Sequence, residues 1–175
     1  MEPSIYKAPG PFELETGYTL PELKIAYHTY GKPNAAYDNV VWVCHALTAN
    51  SDVADWWPHT VEAGRFLDPA RHFVVCANIL GSHYGTTGPL HVNPETGSPY
   101  YKDFPPFTIR DIVRAHRLLA GALGIGRIAS NATNLSAHLH KRVKVGNALR
   151  NERNLATAQL RERRGICLLY TSDAA

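Results

Sequence analysis

Serine, cysteine and histidine are the residues through which this 175-residue chain could do covalent chemistry, and it holds three cysteines and nine histidines. Cys44 and His45 are adjacent, a nucleophile beside a base. Adjacent residues at the end of a strand point to opposite faces, so the two side chains diverge. Cys44 and Cys76 instead read as buried structural thiols. Among the histidines only His138 and His140 are closely spaced, without an evident third ligand, so no metal site is expected. The serines stand at 4, 51, 82, 98, 130, 136 and 172. A strained strand-to-helix turn that exposes a serine nucleophile carries the pattern Gly-x-Ser-x-Gly. None of the seven fits it, because Ser82 follows Gly81 but position 84 is Tyr84. Gly81, Gly85 and Gly88 match neither a dinucleotide fingerprint nor a Walker loop, so they make no phosphate cradle. They do let the backbone approach something closely.

What must position such residues is a sheet. Val40-Val41-Trp42-Val43-Cys44 and Phe73-Val74-Val75-Cys76-Ala77 are continuous, β-branched-rich runs, as expected of strands buried on both faces. The spacing between them predicts a parallel pair with a crossover. Val61 to Phe66 is the predicted crossover helix, stopped by Leu67-Asp68-Pro69. Earlier, Phe12–Glu15 and Leu23–Tyr30 alternate around a turn at Thr16-Gly17-Tyr18, which predicts an antiparallel pair. Thr108 and Asp111 predict a capped helix with Ile112, His116, Leu119 and Leu123 on one stripe, ending at Gly124. The long Gly- and Pro-rich stretch between Gly81 and Pro106 carries Tyr84, Tyr100, Tyr101 and Phe104, which favours an ordered functional loop. Ligands of open α/β sheets sit beyond the carboxyl ends of the strands. His45–Asp52 and Gly81–Pro89 follow such ends and are the candidate site loops.

Composition divides the chain at Ile125. Up to that residue there are 9 Lys+Arg and 12 Asp+Glu; from Gly126 on there are 9 and 3. All 12 prolines and all three tryptophans precede Gly126. No β-branched run or hairpin signal follows, so no further strand is expected there. An odd number of cysteines without framework spacing points to reduced thiols. The first residues contain no apolar signal-peptide core, and no apolar run approaches the roughly 18 residues of a membrane span. The expected location is the cytoplasm. The basic tail lacks aromatic interleaving, so no nucleic-acid partner is expected.

From about Ile5 to Ile125 the sequence resembles the N-terminal part of homoserine O-acetyltransferases. The resemblance lies in Phe12-Glu13-Leu14-Glu15-Thr16-Gly17, in Ala26-Tyr27-His28-Thr29-Tyr30-Gly31 and in Trp42 to Asp52, which contains His45-Ala46-Leu47-Thr48. It continues in Cys76 to Pro89 and in Phe104 to Asp111. It implies the N-terminal part of an α/β-hydrolase fold, in which an antiparallel strand pair leads into a mostly parallel sheet. It implies acetyl transfer from acetyl-CoA to the hydroxyl of L-homoserine through an acyl-serine, a step of methionine biosynthesis. Acetyl-CoA is then a co-substrate, no cofactor is bound, and a full-length member is a homodimer. By position, the backbone N–H of Leu47 falls in the oxyanion hole.

Where the family continues with a strand and a Gly-Gly-Ser-x-Gly-Gly turn, this chain has Gly126-Arg127-Ile128-Ala129-Ser130-Asn131. The triad serine, acid and base are absent from the sequence, so the chain is expected to be truncated before the nucleophile and inactive by itself. Residues 167–175 resemble a translated transposase-adapter sequence, and residues 126–166 read as a frameshifted or chimeric basic segment. Two other readings follow from the same residues: a non-catalytic aberrant product whose basic tail binds polyanions, and a hydrolase of the same fold.

Overall fold

The computed structural model of the chain describes residues 1–46 and 48–133. Its strands are β1 (Ser4–Lys7), β2 (Phe12–Glu13), β3 (Thr19–Leu20), β4 (Lys24–Tyr30), β5 (Val40–Cys44), β6 (Phe73–Ala77) and β7 (Ser130–Thr133). Five of them form one sheet in the order β1-β4-β6-β5-β7, and β2 and β3 form a separate ribbon.

The two runs read as buried strands are β5 and β6, and they pair in parallel with Val41 opposite Val74 and Val43 opposite Cys76. Every residue of β6 is buried. Alternate residues feed two cores, because successive side chains leave a strand on opposite faces. On one face Val40 and Trp42 meet Val75, Ala77 and Ile25, covered by Ala115 and Leu119 of helix α2 (Ile109–Ala122). On the other, Val41 and Val43 meet Val74, Cys76, Val53 and Leu67. Each valine, leucine or isoleucine among these stabilises the fold by about 1.5–3 kcal/mol through burial.

Helix α2 starts and stops as its sequence dictates. The Thr108 hydroxyl accepts the Asp111 N–H (3.3 Å), and the Asp111 carboxylate accepts the Thr108 N–H (2.9 Å). Asp111 is fully buried and also accepts the Glu15 N–H at 3.0 Å, which ties the ribbon to the helix. At the far end Gly124 adopts φ +71. The Ile125 N–H then reaches the Ala120 carbonyl (2.8 Å) and the Gly124 N–H reaches that of Gly121 (3.0 Å), the paired bonds of a Schellman cap. The stretch up to Pro106 is ordered by edge-on ring contacts between Tyr100 and Phe104 (5.4 Å) and between Phe104 and Phe107 (6.0 Å).

Four expectations are corrected. The antiparallel pairing differs: β2 pairs with β3, Phe12 opposite Leu20, while β4 pairs with β1 on one side and β6 on the other. Pro21 has no N–H to donate, so pairing in the ribbon ends there and β4 joins the main sheet instead. Residues 61–66 form turns, and the short helix α1 lies earlier, at Val53–Trp56. Gly64 takes φ +74, and the Asp68 carboxylate accepts the N–H groups of Gly64 and Ala70, both at 2.9 Å. Those side-chain bonds displace a helical ladder.

The sheet also continues beyond Ile125. β7 runs parallel to β5, with Val41 opposite Ser130 and Val43 opposite Ala132. Its residues have little strand propensity, but the open edge of β5 supplies backbone partners that override it. The sequence pattern predicted no strand at this point. Finally, Cys76 is buried as expected, its thiol held well above its ordinary pKa by burial, whereas Cys44 is exposed at the end of β5.

Candidate functional site

Both candidate loops leave the carboxyl ends of the parallel strands β5 and β6, and they are joined through one imidazole. His45 Nδ1 lies 2.6 Å from the Ala46 carbonyl, and its Nε2 lies 3.3 Å from the Ile79 N. A carbonyl accepts and an N–H donates, so the neutral ring protonated at Nδ1 satisfies both contacts. Burial lowers the pKa of His45, against the opposing pull of the Ala46 carbonyl. The Ala46 carbonyl also accepts the Ala49 N–H (2.9 Å).

The loop after β6 is anchored at Asn78, which is 1% exposed. Its N–H reaches the Ala26 carbonyl (2.9 Å), and its side-chain amide donates to the Tyr84 carbonyl (2.6 Å). Its own carbonyl accepts from the Thr86 hydroxyl (3.2 Å) and from His116 Nε2 (3.2 Å). The glycines of this loop do allow close approach, but to the protein itself. A Cβ on Gly81 would stand 2.7 Å from the Phe107 ring, and one on Gly88 would stand 2.9 Å from the Gly81 carbonyl.

His116, which the sequence placed only on the stripe of α2, faces this anchor with its ring 5.7 Å from that of Trp42. Burial pushes its pKa down to about 4; the Asn78 carbonyl opposes this and charge on His45 adds to it. An ordinary imidazole titrates near 6.5. Between those values the unfolded chain binds a proton that the native chain does not, so stability falls as pH falls. The expected loss between pH 7.5 and pH 5 from this group is about 2 kcal/mol. His116→Gln keeps a donor for Asn78 without titrating. Urea midpoints at the two pH values should therefore differ less in the variant, and an equal loss in both proteins would exclude His116 as the cause.

One Ser–His–Asp arrangement exists among the described residues, and it faces away from chemistry. His28 Nδ1 lies 2.8 Å from Ser51 Oγ, and His28 Nε2 lies 3.9 Å from Asp52 Oδ2. Ser51 is 1% exposed and His28 5% exposed. Asp52 is engaged by the Tyr30 hydroxyl (2.6 Å) and the Met1 amine (2.7 Å), and His28 Nε2 by the Met1 carbonyl (2.8 Å). These groups pin the end of the loop after β5. The Trp56 indole adds a bond to the Asn50 carbonyl at 2.9 Å.

Leu47, assigned the oxyanion donor by resemblance, lies outside the described residues, as do His138 and His140. No group of three or more His, Cys, Asp or Glu side chains suited to a metal occurs among the described residues. No helix among them is long and apolar enough to cross a membrane.

A parallel β5–β6 pair with β4 antiparallel beside it, a helix over one face and site loops at the carboxyl ends makes this the N-terminal part of an α/β-hydrolase fold. Esterase E22 matches it with a TM-score of 0.66 at 29% identity, over 75% of this chain and 40% of that one. Homoserine O-acetyltransferase from Bacillus anthracis matches with a TM-score of 0.66 at 29% identity, over 76% of this chain and 40% of that one. In sequence the chain is homologous to homoserine O-acetyltransferases. It is 50% identical to that of Chlorobaculum parvum over 125 residues, 71% of this chain and 35% of the relative. It is 52% identical to that of Salinibacter ruber over 116 residues, 66% of this chain and 33% of the relative. The chain thus spans about a third of the length of the curated relatives it matches. No protein-family model matches it.

Proposed function

We propose that this chain is the oxyanion-loop part of a homoserine O-acetyltransferase, an enzyme that moves an acetyl group from acetyl-CoA to the hydroxyl of L-homoserine. The observation that carries the reading is the 50% identity to an enzyme of that name over most of the chain. The two loops joined by His45 support it, because they lie where a ligand of an open α/β sheet binds. In this reading the Leu47 N–H stabilises the oxygen that becomes negative when a nucleophile attacks the acetyl carbonyl. None of the seven serines lies in a Gly-x-Ser-x-Gly turn, so this reading assigns no nucleophile, base or acid in these 175 residues. We assign residues 126–166 to a shifted or chimeric frame and residues 167–175 to an adapter. The genomic frame downstream of the Ile125 codon tests that assignment: a strand followed by Gly-Gly-Ser-x-Gly-Gly supports it, and the present codons continuing unbroken contradict it.

The second reading, an ester hydrolase, is supported by the equal likeness to esterase E22. A chimera distinguishes the two. Residues 1–125 of this chain replace the matching N-terminal part of the Chlorobaculum parvum enzyme, and the purified chimera receives acetyl-CoA with and without L-homoserine. Thiol release that depends on homoserine is the expected result. A folded chimera that cleaves p-nitrophenyl acetate but transfers nothing to homoserine supports the hydrolase instead.

A further inference from the structure

We propose that the outer face of the ribbon at residues 90–101, formed by Leu90, Val92 and Tyr101, is a docking face for the remaining two thirds of the full-length acyltransferase. The inference rests on the reading of this chain as part of such an enzyme, and adds the surface on which its two parts meet.

The ribbon follows the loop at the carboxyl end of β6 and ends ahead of Thr108, the cap of α2. It doubles back on itself. Val92 bridges to Pro99 in antiparallel pairing, and the Asn93 N–H reaches the Ser98 carbonyl at 2.9 Å. The Tyr100 N–H reaches the His91 carbonyl (3.0 Å), and the Tyr101 N–H reaches that of Pro89 (2.7 Å), which brings Tyr101 beside Leu90. Extended backbone sends successive side chains to opposite sides, so the ribbon has two faces. His91 is half-buried and Tyr100 buried on the inner one. Leu90, Val92 and Tyr101 form the outer one, and they are 61%, 55% and 60% exposed. Apolar residues scattered singly over a surface are ordinary, whereas several on one face mark an interaction site. Tyr101 adds a second sign. Its φ is +46, a left-handed backbone that costs a bulky residue free energy and that glycine adopts freely. Strain of this kind persists where the surroundings hold it in place, and a covered Tyr101 ring supplies that hold.

The chemistry names the occupant. A ligand of an open α/β sheet binds at the carboxyl ends of the strands, where the ribbon stands. An acyl-serine mechanism needs a nucleophile, a base and an acid in mutual reach there, and none of the three is assigned within these 175 residues. The chain spans about a third of the length of its relatives, so the missing part must close over this end to deliver them. It meets the outer face of the ribbon as it does so. A second copy of this chain would cover the same side chains, and its presence is one outcome of the test.

Carbene footprinting, which labels side chains of any type that solvent reaches, tests this on the 175-residue chain and on the chimera described above. Leu90, Val92 and Tyr101 should be labelled in the chain and shielded several-fold in the chimera. Equal labelling in both overturns the proposal. The intact Chlorobaculum parvum enzyme needs no graft and gives the same answer at its three matching positions: they should be shielded, and free labelling there overturns the proposal even where the chimera does not fold. The pair Leu90→Gln and Val92→Thr supplies the energetic readout. It should leave the urea midpoint of the 175-residue chain unchanged and lower the thermal midpoint of the chimera by roughly 2–4 °C or more. A loss in the chain itself means that these side chains pack within it, and no loss in the chimera means that nothing covers them; either result overturns the proposal. Light scattering on the 175-residue chain addresses the other occupant: a dimer that the double variant converts to monomer makes the face a self-association surface and overturns the proposal. The underlying reading is scored separately by homoserine-dependent thiol release. A chimera that transfers acetyl groups while the ribbon stays labelled keeps that reading and loses the docking face. One that shields the ribbon but transfers nothing keeps the face and loses the reading.

Discussion

Incubated with acetyl-CoA and L-homoserine, the 175-residue chain by itself is expected to release CoA thiol roughly 10⁴–10⁶ times more slowly than a full-length relative, the usual cost of losing triad side chains. The reason is chemical rather than conformational. An acyl-serine mechanism needs a hydroxyl on an exposed turn, a base within hydrogen-bond reach and an acid to orient that base. None of the seven serines lies in a Gly-x-Ser-x-Gly turn. The Ser51–His28–Asp52 arrangement has the right residue types but the wrong setting. Its hydroxyl and imidazole are sealed from solvent, and Met1 holds the imidazole nitrogen nearer Asp52. An oxyanion donor without a nucleophile has no intermediate to stabilise. A thiol-trapping assay with the full-length relative alongside measures the difference. Turnover at ordinary enzyme rates would place a nucleophile in these residues, and its disappearance in Ser51→Ala would identify which one.

The parts of the fold legible in the sequence are those where one local signal had one physical outcome. Val40–Cys44 and Phe73–Ala77 are too continuously apolar to be anything but strands covered on both sides, and β5 and β6 are just that. Thr108, Asp111 and Gly124 fix the ends of α2 through backbone groups within a few residues of themselves. The failures share a different cause. Phe12-Glu13 and Lys24–Tyr30 alternate equally well, and nothing local says that Pro21 separates them into two sheets. β7 has weak propensity and forms because β5 offers it an edge. Gly64 and Asp68 undo a helix whose hydrophobic spacing was acceptable.

The site divides in the same way. The two loops were legible because strand ends mark them. The Leu47 assignment came from resemblance, since a backbone N–H leaves no trace in residue type. The roles of His45 and His116 were hidden for another reason. Adjacency to Cys44 drew attention to His45 as a base, while its partner is the amide of Ile79, distant in sequence. A histidine on an otherwise apolar helix stripe was the available sign for His116. It is a weak one, because a partly buried histidine is usually just a satisfied side chain.

Leu47→Pro in a full-length relative with the same loop is expected to lower kcat by roughly 10²–10³, the usual cost of one lost oxyanion donor. Proline has no N–H, so the change deletes the proposed donor and not merely its side chain. KM should change less, because the charge that the donor meets develops only in the transition state. Leu47→Ala is the control: it keeps the N–H and should retain much of the activity if the bond from the Ala49 N–H to the Ala46 carbonyl survives. Proline also disfavours helical backbone at Ala46, so its effect could arise from a displaced loop. Circular dichroism and a crystal structure of the variant resolve this, with the His45 contacts to Ala46 and Ile79 as the structural readout. A Leu47→Pro enzyme that keeps both contacts and is still slow has lost the donor alone. One that keeps both contacts and a normal kcat shows that the oxyanion is held elsewhere.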